Sequence, residues 1–127
     1  MNKTIINTSE SPAPIGPYSQ AVLAGDTLYV SGQIAFDPET GKLILSDIGA
    51  ETRRVMKNLY GILVAAGMNF SNVVKCSIFV KDMNNFQAIN AVYGEYFGEN
   101  APARETVEVA RLPKDVNVEI SCVAVKQ

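Results

Sequence analysis

The sequence predicts an α+β fold, a single sheet with two helices on one face. Two observations predict it. Stretches with two-residue and 3.6-residue apolar periodicity follow one another in the order strand, strand, helix, strand, helix, strand, strand. Each helical stretch carries one apolar stripe, so it can bury only one side, against the sheet.

The elements follow from local chemistry. "SPAPIGPYSQ" (11–20) packs three prolines and a glycine around Tyr18. Proline fixes φ and biases its predecessor towards extended backbone, so this is a stiff loop. "AVLAGDTLYVSG" reads as a hairpin, with Gly25-Asp26 as its two-residue turn and Thr27 to Ser31 as a strand. "DPETGK" (37–42) is turn chemistry. Residues 47–66 read as a helix. Val55, Met56, Leu59, Ile62, Leu63 and Ala66 fall on one face, Asp47 or Ser46 caps the start, and Gly67 closes the end. "NVVKCSIFVK" (72–81) is a strand, and 83–97 a second helix with Phe86, Ile89, Val92, Tyr93, Tyr96 and Phe97 as its stripe. Two further strands, 104–110 and 116–125, are joined by "RLPKD".

A chain of 127 residues without repeat, low-complexity tract or linker-like break suits a single domain spanning 1–127. Hydrophobic content of 47% with 19% charged residues fits a globular protein. The longest apolar run, "ILVAA" at 62–66, is far short of the roughly 20 residues that a membrane span needs. "MNKTIINTSESPAP" lacks the apolar core of a secretion signal, so the expectation is a cytoplasmic protein without a membrane partner. The formal charge is −2. The densest basic spot is Arg53-Arg54 on a predicted helix, which makes nucleic acid a poor candidate partner.

The chain contains no histidine. That removes Ser-His and Cys-His nucleophile pairs and the commonest transition-metal ligand. Cys76 and Cys122 lie in different strands without CxxC spacing and read as small core residues, not as a disulfide or metal site. Catalysis, if any, must come from carboxylates, Arg, Lys, Tyr, hydroxyls, backbone dipoles or water.

Side chains alternate across a strand, so each strand offers two sets. The apolar phase should face the helices: Leu28 and Val30; Val74, Cys76, Ile78 and Val80; Val107 and Val109; Val118, Ile120 and Cys122. The opposite phase holds Tyr29 and Ser31; Lys75, Ser77 and Phe79; Arg104, Thr106 and Glu108; Asn117, Glu119, Ser121, Val123 and Val125. Such a mixed face suits cover by another subunit, hence a closed homo-oligomer with Arg104 and Glu119 near a desolvated seam. Periodicity alone leaves Arg104 an ordinary surface arginine and Glu119 an ordinary ion-pair partner, or the two paired with each other. Likewise Tyr18 reads as a packed loop aromatic, Ser31-Gly32 as a strand end, and Asn90 as a cap on nearby backbone.

Five segments in register resemble the RidA (YjgF-type) family of enamine/imine deaminases: "IGPYSQAV" (15–22), "LYVSGQI" (28–34), "VKCSIFVKDMNNF" (74–86), "INAVYGEYF" (89–97) and "PARETVEVARLPKDVNVEI" (102–120). The resemblance implies a chorismate-mutase-like subunit forming a homotrimer with ligand sites between neighbours. It also implies hydrolysis of 2-aminoacrylate/2-iminopropionate and 2-iminobutanoate to 2-keto acids and ammonia, with neither cofactor nor metal. On the matching positions, Arg104 would hold the substrate carboxylate as a bidentate fork. Glu119 would position or activate the attacking water. Tyr18, Ser31, Gly32, Asn90 and Thr106 would line the pocket. Many members have a cysteine where this chain has Thr106, so a mechanism requiring a thiolate there is excluded. The rival expectations are a ligand-binding or regulatory module that uses the same pocket without turnover, and a ribonuclease or translation inhibitor.

Overall fold

The computed structural model describes residues 3–127. Six strands form one mixed sheet: β1 (Lys3–Ile6), β2 (Ala21–Ala24), β3 (Thr27–Gln33), β4 (Val73–Val80), β5 (Ala103–Glu108) and β6 (Val118–Val125), in the order β1-β2-β3-β6-β4-β5. Helix α1 (Ile48–Ala65) connects β3 to β4 and α2 (Phe86–Gly94) connects β4 to β5. β4 and β5 are parallel, and the remaining neighbours antiparallel.

Local chemistry sets the element ends. Gly25 takes φ +61° in the β2–β3 turn, where a side chain would be strained. Asp47 caps α1 by accepting from the Ala50 amide at 2.8 Å. The second helix is shorter than its apolar stripe suggests. It opens with a 3₁₀ turn over Met83–Asn85, which Asp82 caps, and ends at Gly94. β1 was not anticipated: its four residues are mostly exposed and show no alternation.

Both helices pack on one face. Val55, Met56, Leu59, Ile62 and Leu63 of α1 and Ile89 and Tyr93 of α2 share a core with Leu28, Val30, Cys76, Ile78, Val80, Val118, Ile120 and Cys122. Burying a side chain of this size contributes about 1.5–3 kcal/mol. A smaller cluster on the other face gathers Ile34, Leu112 and Val116 with Phe79 and Val109. The rest of that face shows half-exposed apolar groups, with Ile5, Val22, Tyr29 and Val123 in one row across four strands.

Three expectations about strand faces are corrected. Val74 is 48% exposed, because a register shift between Val73 and Lys75 sends Val73 into the core instead. Val107 and Val109 do not face the helices. Val107 lies beside Phe79, and Val109 packs with it in the smaller cluster. Arg104, Thr106 and Glu108 are therefore on the helix side, beside Cys76, Ile78 and Val80. β5 is an edge strand, and its pairing with β4, not its own apolar pattern, fixes which way each side chain turns.

Candidate active site

The residues singled out in the sequence form two clusters. Glu119, on β6, projects from the helix-free face, beside Phe79 of β4. Gly32 lies against it so closely that a Cβ there would stand 2.5 Å from Glu119 Oε1 and 3.0 Å from its Cγ. Gly32 falls in the register break of β3, between Val30 and Gln33, where the strand turns to let this contact form. Tyr18, Gly32 and Glu119 line a cleft closed by Pro12, Ile15 and Pro113. Its free space, about 50 Å³, admits a few waters. Burial pushes the Glu119 carboxyl above its ordinary value, and no cation among the described residues counters the shift.

The Pro-rich loop holds this cleft in shape. Gln20, missed in the sequence, is 2% exposed; its Nε2 donates to the carbonyls of Thr8, Ser11 and Pro12, and its Oε1 accepts from the Thr8 amide. The Ser31 hydroxyl donates to the Ser19 carbonyl at 2.6 Å, tying β3 to the residue after Tyr18. The Tyr18 hydroxyl accepts from the Ile15 amide at 3.3 Å. Glu51, fully buried on α1, accepts from the amides of Asn117 and Val118 and from Asn117 Nδ2, which anchors the start of β6 just ahead of Glu119. No sequence signal marks Glu51 or Gln20, whose partners are mostly backbone groups outside their own local segments.

The second cluster sits across the sheet. Arg104 Nη1 donates to Asn90 Oδ1 at 2.7 Å, and its guanidinium lies 5.5 Å from the Phe86 ring and 5.0 Å from the Tyr93 ring. Asn90 therefore binds a side chain, not the backbone group expected of it. Thr106 follows on the same face of β5, with its hydroxyl buried and without a partner among the described residues. Glu105 points the other way, where the Ser77 hydroxyl and the Lys75 ammonium hold its carboxyl below the usual range.

Arg104 and Glu119 do not meet within one chain. They lie on opposite faces of the sheet, with β4 between their strands. One cluster offers a guanidinium with donors to spare, suited to a carboxylate. The other offers an unpaired carboxylate in a small cleft with room for water, suited to accept a proton from it. Cys76 and Cys122 are buried opposite one another on the helix side, and burial pushes both thiols up, so neither is a nucleophile at neutral pH. Among the described residues, no group of three or more His, Cys, Asp or Glu side chains is placed to hold a metal, and no helix is long and apolar enough to cross a membrane.

Comparison with known proteins gives this geometry a context. Residues 8–126 match the family model described as Endoribonuclease L-PSP. A RutC family protein of Pyrococcus horikoshii is 51% identical over 125 residues, covering 98% of this chain and 99% of that one. A human 2-iminobutanoate/2-iminopropanoate deaminase is 44% identical over 124 residues, covering 98% and 90%. The crystal structure of E. coli TdcF with bound serine superposes with a TM-score of 0.94 at 41% identity, covering 98% and 99%. With a family match along almost its whole length, the chain belongs to the Endoribonuclease L-PSP family, the RidA (YjgF) family that its five segments resemble.

Proposed function

We propose that the protein hydrolyses 2-imino acids to 2-keto acids and ammonia at sites completed between copies of the chain. The observation that carries the reading is the Glu119 carboxylate, held against Gly32 without a hydrogen-bonding or charged partner among the described residues and raised in pKa by burial. A structural glutamate in such a place would be paired. Relatives named 2-iminobutanoate/2-iminopropanoate deaminase in human, rat and goat support the choice of reaction.

Since the two clusters face away from each other in one chain, Arg104, Asn90 and Thr106 of one protomer would complete the cleft of Tyr18, Gly32 and Glu119 of the next, whose loop Ser31 ties to β3. The half-exposed apolar row of the sheet supports such an assembly, a homotrimer. Arg104 would bind the substrate carboxylate as a fork. Glu119 would take a proton from a water whose oxygen adds to C2 of the protonated imine. Glu119 gives its proton to the carbinolamine nitrogen, which departs as ammonia as the C–N bond breaks; the hydroxyl returns its proton to Glu119 as C=O forms, and that proton leaves with the ammonia as ammonium. Imines hydrolyse in water unaided, so orientation of the water and fixing of the electrophile supply much of the effect. Neither cofactor nor metal enters this scheme.

The test is keto-acid release from an imine generated in situ by a threonine dehydratase. The wild-type protein should accelerate release, and Arg104→Ala should return it to the uncatalysed rate. No acceleration by the wild type would favour a binding module, a reading to which the serine-bound relative lends weight. Sedimentation should give a mass near three times 13.7 kDa, and a stable monomer would contradict the shared site. The family model's description names an endoribonuclease. A net charge of −2 and the lack of histidine favour a small acid over RNA as the substrate.

A further inference from the structure

The geometry points to Phe86, Asn90 and Tyr93 as a cage that fixes the orientation of Arg104, making all three positioning residues for a planar carboxylate ligand. The inference rests on the reading of Arg104 as the carboxylate fork. The three residues stand at i, i+4 and i+7 of α2 and so share one face of the helix. That face receives the arginine from β5. The two rings lie 5.5 and 5.0 Å from Cζ, and Asn90 Oδ1 accepts from Nη1 at 2.7 Å.

An arginine on an edge strand would ordinarily sample many rotamers, each scattering its donors differently, and a ligand would have to freeze them. Here the rings hold the guanidinium through cation–π attraction while Asn90 occupies one Nη1 donor. The remaining N–H groups have no other hydrogen-bond partner among the described residues and stay available to a ligand. Tyr93 is 6% exposed and anchored in the core, whereas Phe86 is 36% exposed at the rim. The cage thus has one fixed wall and one that a ligand can touch. Asn90 is neutral, so it orients the cation without cancelling its charge as an aspartate would, and the full positive charge is left for an anionic ligand.

The test uses the full-length protein and 2-oxobutanoate, a product of the proposed reaction, with binding followed by NMR. Phe86→Leu and Tyr93→Leu are each expected to weaken binding about tenfold, while Phe86→Tyr and Tyr93→Phe, which keep the rings, stay within about twofold of wild type. The Arg104 guanidinium resonances should lose the ring-current contribution of the removed ring in each leucine variant and keep both contributions in the conservative ones. Phe86→Leu, at a partly exposed position, carries the test if Tyr93→Leu does not fold. Wild-type affinity in Phe86→Leu, alongside lost binding in Arg104→Ala, overturns the cage and leaves the fork standing. Wild-type affinity in Arg104→Ala overturns the fork itself, and the cage with it.

Discussion

Replacing Gly32 by alanine should separate activity from stability. The added Cβ would stand 2.5 Å from Glu119 Oε1, 2.8 Å from Cδ and 3.0 Å from Cγ. Ordinary contact requires roughly 3.5 Å, so the carboxylate must retreat by about an ångström. It is the end of a flexible side chain beside an open cleft, so it can move at little cost in folding energy. The backbone raises no objection either, since the positive-φ glycines are Gly25, Gly41 and Gly67, not Gly32. Alanine also restricts the unfolded chain, which contributes about 0.4–1 kcal/mol in favour of folding. Unfolding free energy should therefore stay within about 1 kcal/mol of wild type, while a displacement of this size at the reacting water costs on the order of a hundredfold in rate. Urea unfolding and keto-acid release measure the two quantities. Because the substitution acts only through Glu119, adding it to Glu119→Gln should lower the rate no further than Glu119→Gln alone. Release within threefold of wild type from a folded Gly32→Ala protein would refute the assignment of the water-handling group.

Other outcomes follow from buried polar groups. Asn58 is fully buried, and its Nδ2 donates to the carbonyls of Ile34 and Phe36 at 3.0 and 2.8 Å; Asn58→Ala should cost about 2–4 kcal/mol in thermal or chemical unfolding by orphaning both. Glu51→Ala leaves the amides of Asn117 and Val118 without their acceptor and should cost about as much, with activity lost beyond the loss of folded protein because β6 carries Glu119. Burial raises the Glu119 carboxyl above its ordinary value, so folding penalises its charged form relative to the unfolded chain. The destabilisation from its charge is absent below the unfolded pKa, grows as pH rises from there, and is complete above the folded pKa. Glu119→Gln should accordingly be more stable than wild type at pH 7 and equal to it at pH 3, and equal urea midpoints at pH 7 would contradict the desolvation account. Finally, Cys76 and Cys122 are buried thiols with raised pKa values, so a thiol reagent at pH 7 should label neither in the native protein and both in denaturant.

Much of the architecture was legible because it rests on local rules. Asp47 caps α1 where a cap was expected, Gly25 makes the hairpin turn, and the alternation of β6 places Glu119 on the helix-free side. What escaped depends on partners remote in sequence. Gln20 and Asn58 look like surface amides until the carbonyls they serve are brought to them. Glu51 lies among polar helix residues, and its acceptors' partners stand 66 and 67 positions away. β1 is too short and too exposed to carry a pattern.

The side of Arg104 was misread for a different reason. Sending the valines of β5 towards the helices assumes that the larger apolar cover lies there. Over this edge strand, however, α2 presents a cation-holding trio, while Phe79 and the loop cluster of Leu112 and Val116 give the valines an alternative apolar surface. Alternation thus establishes that Arg104 and Thr106 share a face and that Glu105 and Val107 share the other. It cannot establish which face is covered by what, because the parallel pairing with β4 decides that. The correction matters for function. Had Arg104 and Glu119 stood on one face of one chain, a lone protomer could have gripped a substrate carboxylate and aimed a water at its imine carbon. With the sheet between them, the proposed reaction requires a second copy, so activity should fall with protein concentration wherever dilution dissociates the assembly.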